Sequence, residues 1–136
     1  MQRIDFVIPV PPVAWHRPQQ TKRGVTYKNK LDVDFQATVA AYTQQAIAIW
    51  SVGKQRRWTK DGEFALSLGF HVHDLRRRDI DNLEKNVLDG MTGIAYHDDA
   101  AVVDVSKFKR LNRRDPRVEI SVRSVEGYLT NADPET

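Results

Sequence analysis

Hydrophobic and polar positions along the chain change period several times, and each change marks an element. Ile4, Phe6 and Ile8 fall on alternate positions around Asp5 and Val7, so residues 3–8 predict a strand, ended by Pro9, Pro11 and Pro12. Residues 13–31 hold no such period and predict a basic loop, or a small hairpin turning at Gly24. The spacing then becomes helical. Phe35, Val39, Tyr42, Ala46, Ile49 and Trp50 define one apolar face of a helix over about 32–51, with Asp32 or Asp34 as its cap. A basic loop over 52–62 closes at Asp61-Gly62. Phe64, Leu66, Leu68, Phe70 and Val72 alternate most cleanly, predicting a strand over 63–73. Leu83, Val87, Leu88 and Met91 give the stripe of a second helix over about 81–92. Strands over 102–109 and 117–125 follow, the last with Val118, Ile120 and Val122 on one face.

The order strand, helix, strand, helix, strand, strand predicts an α/β fold: one domain over 1–125, with a mixed sheet packed against two main helices. The last two strands are expected to form an antiparallel hairpin through Leu111 to Pro116. Residues 126–136 form a polar tail expected to fray.

A chain of 136 residues suffices for a core without staples. It has no cysteine, which excludes disulfides, thiolate zinc sites and cysteine nucleophiles. No apolar run reaches the roughly 18 residues of a membrane span, and the opening MQRIDFVIPVPP lacks the apolar core of a signal peptide. These features predict a cytoplasmic protein. The net charge is only +3, but its distribution is uneven. Arg76, Arg77 and Arg78 form one basic run; Lys54, Arg56, Arg57 and Lys60 surround Trp58; Lys107, Lys109, Arg110, Arg113, Arg114 and Arg117 form a third. Many of the acids fall between Asp74 and Asp104. Clustered cations beside clustered carboxylates suit a polyanion held near metal, although any one run taken alone is ordinary solvated surface.

Asp79 and Asp81 stand where a strand hands over to a helix, and Asp98 and Asp99 in the turn before the next strand. A helix-length excursion can return the chain to the sheet, so the two pairs are expected to meet at one end of it. Crowded carboxylates repel one another, and a hard divalent cation with a preference for oxygen removes the conflict. Lys85, four residues after Asp81, shares its helix face and can reach a phosphate. Each residue also has a plain structural use. Asp81 and Glu84 have capping-box spacing, Asp79 suits a helix dipole, Asp81 and Lys85 suit a surface ion pair, and Asp98-Asp99 suits a turn. Asn82 and Asp89 are candidates for supporting the acids. His97 adjoins them. His71 and His73 share a strand face as a zinc pair would, but no third imidazole or thiolate accompanies them.

The stretch Asp79-Ile80-Asp81-Asn82-Leu83-Glu84-Lys85, with Asp89, Gly93 and the pair Asp98-Asp99, resembles the signature of the RusA family of Holliday-junction resolvases. Ile8-Pro9-Val10-Pro11-Pro12, Arg17-Pro18 and Thr26-Tyr27 extend the similarity toward the N-terminus, and it reaches at least Lys109. Ala101 stands where many members carry a glutamine, and the Lys54–Lys60 region is individual to this chain.

The resemblance implies a homodimeric, magnesium-dependent endonuclease, with manganese as a substitute and no small-molecule cofactor. Such enzymes are bacterial and commonly encoded by prophages. They resolve four-way junctions by paired symmetric nicks in recombination and repair. Carried over by position, Asp79, Asp81, Asp99 and Lys85 are the catalytic candidates, and Asp79, Asp81, Asp98 and Asp99 the metal ligands. Arg17, Arg76, Arg77, Arg78, Lys107 and Lys109 are the expected DNA contacts. Two other functions use the same features: a nuclease selective for other branched DNA, and a junction-binding protein without catalysis. The second leaves the crowded aspartates unexplained.

Overall fold

The computed structural model describes residues 2–129. In chain order the elements are β1 (Arg3–Ile8), the short strands β2 (Gln19–Gln20) and β3 (Thr26–Tyr27), α1 (Lys30–Ser51), β4 (Glu63–Val72) and α2 (Ile80–Met91). A single 3-10 turn (Asp99–Ala101), β5 (Val102–Leu111) and β6 (Arg117–Val125) complete the chain. The fold is mixed α/β, and the main elements follow the expected order β-α-β-α-β-β. The proposed small hairpin is present, with β2 and β3 pairing antiparallel around Gly24. Residues 126–129 end in a turn, where the Leu129 amide donates to Glu63, and the rest of the expected tail lies outside the described residues. Among the described residues no helix is long and apolar enough to cross a membrane.

The main sheet has the order β1-β6-β4-β5, and only β4 and β5 run parallel. This corrects the expected hairpin: β5 and β6 flank β4 and do not pair with each other. The physical reason lies in β4. Most of its residues are buried, so it needs hydrogen-bonded partners on both edges. The Asn112–Pro116 connection passes over the end of β4, where the Asn112 amide donates to the Val72 carbonyl.

Both helices cover the same face of the sheet. Ile4 and Ile8, the even positions of β4 from Phe64 to Val72, and Val118, Ile120 and Val122 supply the sheet side of the core. Phe35 and Val39 from α1, and Leu83, Val87, Leu88 and Met91 from α2, supply the helix side. The predicted α1 stripe holds except at Ile49, which is 67% exposed. The helices touch closely at Gly90, where a Cβ would stand 2.7 Å from the Cβ of Val39. Glycine at that point is therefore a packing requirement, despite its poor helix propensity.

The start of α1 also departs from expectation. Asn29 caps it by accepting from the Leu31 amide at 2.8 Å, and Asp34 pairs with Lys30. Asp32 is buried instead. It accepts from the His16 amide (2.8 Å), the His16 ring (3.0 Å) and Asn86 (3.0 Å). Asn86 also donates to the Val13 carbonyl and accepts from Gln36. Burial pushes the Asp32 carboxyl up, but the bonds from Asn86 and His16 outweigh it and leave it below its ordinary value. This network ties the N-terminal loop and α1 to the middle of α2.

Candidate active site

Helix α2 carries the chemistry, and three of its side chains set the axis. Asp81, Lys85 and Asp89 are spaced four apart and share one face, spanning roughly 12 Å along the helix. Lys85 lies 3.4 Å from Asp89 and 5.0 Å from the ring centre of Trp15. Trp15 is held there by its amide, which donates to the Asn82 carbonyl.

At the start of α2 the acids do not cap the helix. Asp79 occupies the cap position with extended backbone, but its side chain makes no capping bond. It remains 63% exposed, 3.9 Å from Arg77. The capping box that the Asp81 and Glu84 spacing also allowed does not form, because Asp81 lies within the first turn and not at the cap; both carboxylates turn to the same cation. The Lys107 ammonium, on β5, lies 2.6 Å from Asp81 and 3.0 Å from Glu84. The hydrogen bond to Asp81 is the larger influence raising the Lys107 pKa, against partial burial.

Beside Asp79 opens a basic cleft of about 500 Å³, lined among others by Arg76, Arg77, Arg78, Lys109 and Arg110. It gathers four of the expected DNA contacts. Arg78 is engaged within its own loop, paired with Asp74 at 2.8 Å and bonded to the Asp74 and Arg76 carbonyls. Its guanidinium and the Arg76 amide hold the Asp74 carboxyl down at about 2. Lys109 donates to the Arg78 carbonyl, while Arg77 is almost fully exposed. Arg17 lies apart on the N-terminal loop, exposed, two residues beyond Trp15.

Asp98 and Asp99 do not join Asp79 and Asp81 at one end of the sheet. Because β5 runs parallel to β4, the chain leaves the sheet at one end and re-enters at the other. Asp98 and Asp99 therefore arrive near the C-terminal half of α2. There they share a cleft of about 360 Å³ with Asp89, Thr92, Lys28 and Gln36. Asp98 accepts from the Ala100 amide, which is the expected turn chemistry. Its hydrogen bond with Asp99 holds Asp98 low and pushes Asp99 up. Partial burial and the charges of Asp98 and Asp89 raise Asp99 further, and Lys85 opposes them. Among the described residues no three acidic or imidazole side chains converge on one ion. The donor set is nonetheless all oxygen, and Asp99 carries the charge conflict that a hard divalent cation relieves, so this cleft fits magnesium better than zinc. His71 is hydrogen-bonded to Glu119, and His73 lies 3.1 Å from the Asp74 carboxylate.

The turn that presents Asp98 and Asp99 is braced by residues the sequence did not single out for that purpose. Tyr96 is fully buried, its hydroxyl donating to the Leu88 carbonyl, and its carbonyl accepts from Gly93. From the 52–62 loop, the Trp58 indole donates to the Ala95 carbonyl at 2.8 Å and Lys60 to that of Gly93 at 2.9 Å. His97 pairs with Asp61 at 2.8 Å. The individual Lys54–Lys60 region thus includes two struts under the carboxylate turn. An aromatic between basic residues was its only sequence signal.

No curated protein matches the chain. A family model described as Endodeoxyribonuclease RusA matches residues 9–123, a span that begins just after β1 and takes in both clefts, all of α2 and most of β6. The match covers most of the chain and spans every acid and base of the two clefts and of α2, so the protein belongs to the RusA family of endodeoxyribonucleases, whose members act on Holliday junctions.

Proposed function

We propose that this protein is a magnesium-dependent resolvase that cuts four-way DNA junctions by paired symmetric nicks as a homodimer, with manganese able to replace magnesium. The observation that carries the proposal is the row of Asp81, Lys85 and Asp89 on α2. It has Asp98 and Asp99 beside one end and a cleft of cations beside the other. A binding protein gains nothing from carboxylates set against its own phosphate cleft, since acids oppose phosphate.

In this reading Asp79 and Asp81 at the start of α2, and Asp98 and Asp99 beside its C-terminal half, are two separate groups of metal ligands that one ion does not span within a single chain. When bound, a divalent cation activates water and neutralises charge developing on the phosphodiester. Arg76, Arg77 and Lys109 take the DNA backbone into the basic cleft, and Arg17 extends that surface along the N-terminal loop. Lys85, between the two groups of acids, faces the phosphate being cut. Lys107 keeps Asp81 and Glu84 compensated until substrate arrives. Hydrolysis leaves a 5′-phosphate and a 3′-hydroxyl.

The test is cleavage of a labelled synthetic four-way junction, with and without magnesium, beside a linear duplex, a flap and a fork. Paired nicks in the junction that require magnesium are expected. Asp79→Asn is expected to abolish cutting while leaving junction binding largely intact. Normal cutting by that variant removes Asp79 from the site, and equal cutting of flaps and forks replaces the junction with a broader class of branched DNA.

A further inference from the structure

The segment between β1 and β2 is fastened to the helices at three points. The Val13 carbonyl accepts from Asn86 at 2.8 Å, the Trp15 amide donates to the Asn82 carbonyl at 3.0 Å, and the His16 amide and ring bond to Asp32 at 2.8 and 3.0 Å. Asp32 and Asn86 are buried and bonded to each other, so the fastening is anchored in the interior. Pro11 and Pro12 before it and Pro18 after it restrict the backbone on both sides. Asn82 and Asn86 are about one helical turn apart, and Lys85 lies between them. The fastened segment therefore sets the Trp15 ring over Lys85, whose ammonium is 5.0 Å from the ring centre. The same ammonium lies 3.4 Å from Asp89, and its charge is felt at Asp99.

We infer that Trp15 is a positioning residue for the cleavage step: its ring holds the Lys85 ammonium in the row between the acids, where it meets the phosphate. The inference rests on the nuclease reading and names a residue outside the carboxylate motif. Lys85 needs such a guide. A lysine stem on a helix surface samples many rotamers, and this one keeps 44% of its side chain exposed. Asp89 alone holds it poorly, because an exposed pair of this spacing is weak and lysine ahead of the acid is the less favourable order. The face of an indole attracts an ammonium without a fixed hydrogen-bond direction, so the three donors can still turn to phosphate oxygens. A carboxylate at the same point would hold the lysine more firmly but would oppose the phosphate. A neutral ring holds it and does not.

Trp15→Leu and Trp15→Phe both keep the backbone bond to Asn82, so the segment stays fastened in either variant. In the metal-free protein, proton NMR of the Lys85 ε-methylene reads the ring directly. Its signal is expected upfield of the ordinary lysine position in the wild type and in Trp15→Phe, and back at that position in Trp15→Leu. Steady-state cleavage of the four-way junction with magnesium reads the consequence. Trp15→Leu is expected to lower kcat about tenfold, as a small misplacement of a reacting group does, with KM unchanged within about twofold. Trp15→Phe is expected to recover most of the rate, because it keeps an aromatic face. In a Lys85→Met background, Trp15→Leu is expected to cost nothing further, since its effect passes through Lys85. An unshifted methylene in the wild type overturns the inference, as does full-rate or faster cutting by Trp15→Leu. A rise in KM with kcat unchanged also overturns it and makes Trp15 a DNA contact, and so does a loss that Trp15→Phe shares in full or that persists without Lys85. A wild type that carries the shift but cuts no junction with magnesium fails the nuclease reading as well, which an indifferent Trp15→Leu does not.

Discussion

The Lys107 ammonium sits 2.6 Å from the Asp81 carboxylate and also holds Glu84, so a side chain from β5 neutralises the start of α2. A metal cation recruited to Asp81 must compete with it. Lys107→Met is therefore expected to tighten manganese binding several-fold in calorimetric titration without DNA, while cleavage falls about tenfold through lost charge at the phosphate. The stability cost should stay under about 1 kcal/mol, because Asp81 is largely exposed. Unchanged manganese affinity would mean that Lys107 and the metal do not share Asp81.

Asp99 gives a prediction of opposite sign for stability. Its carboxyl is raised by its hydrogen bond with Asp98, by partial burial and by the charges of Asp98 and Asp89. A raised carboxyl favours the fold when protonated and loses that benefit as pH rises through its folded value. At neutral pH the ionised group is a net repulsion. Asp99→Asn should raise the metal-free melting temperature by about 1–3 °C, modest because the pair is exposed. It should also abolish the further rise that magnesium gives the wild type. Thermal melts with magnesium and with chelator check both halves.

The Asp74–Arg78 pair governs the basic loop and works in the other direction. Asp74 is held down at about 2 by Arg78 and the Arg76 amide. A lowered carboxyl contributes stability that is present above its ordinary value of 3.8 and lost as pH falls through about 2. The stability difference between wild type and Asp74→Asn should thus be constant near neutrality and vanish in strong acid. At neutral pH the variant frees Arg78. Its DNA affinity should then rise, with a salt dependence steeper by up to about one phosphate contact. Denaturation across pH and filter binding across salt would show each effect.

Gly90 and Val39 test the helix crossing. Gly90→Ala should destabilise the protein by about 1–3 kcal/mol through overpacking, although alanine is the better helix former. Adding Val39→Ala should recover part of that loss, because the residues are in contact and their effects couple. Urea denaturation of the two single variants and the double variant measures the coupling. Strictly additive losses would mean that the helices separate freely.

The sequence carried the elements well, because alternation and helical spacing are local and each buried face here is nearly continuous. It did not carry neighbourhood. Alternation in β5 and β6 says which side chains face inward, and nothing about β4 lying between them. The same blindness separated the two aspartate pairs, since only the parallel pairing of β4 and β5 decides where Asp98 and Asp99 return. Asp32, like Asp34, suits a cap in the sequence because the partners that claim it, His16 and Asn86, are distant along the chain. The acids and Lys85 were legible as a motif. The struts Trp58, Lys60 and Tyr96 were not, since each acts through a backbone carbonyl, which any residue supplies.

The pairing of β1 with β6 has a consequence for biosynthesis. β1 is synthesised well before its partner β6, and until the two join Ile4 and Ile8 lack the neighbours that bury them. Pairing so distant in sequence forms slowly and leaves unpaired strand edges exposed in the meantime. A chain interrupted before Arg117 also leaves β4 open along the edge that β6 would take. An incomplete product is thus headed for aggregation or degradation instead of partial activity, and a cell making this DNA-cutting protein is spared a half-built version of it.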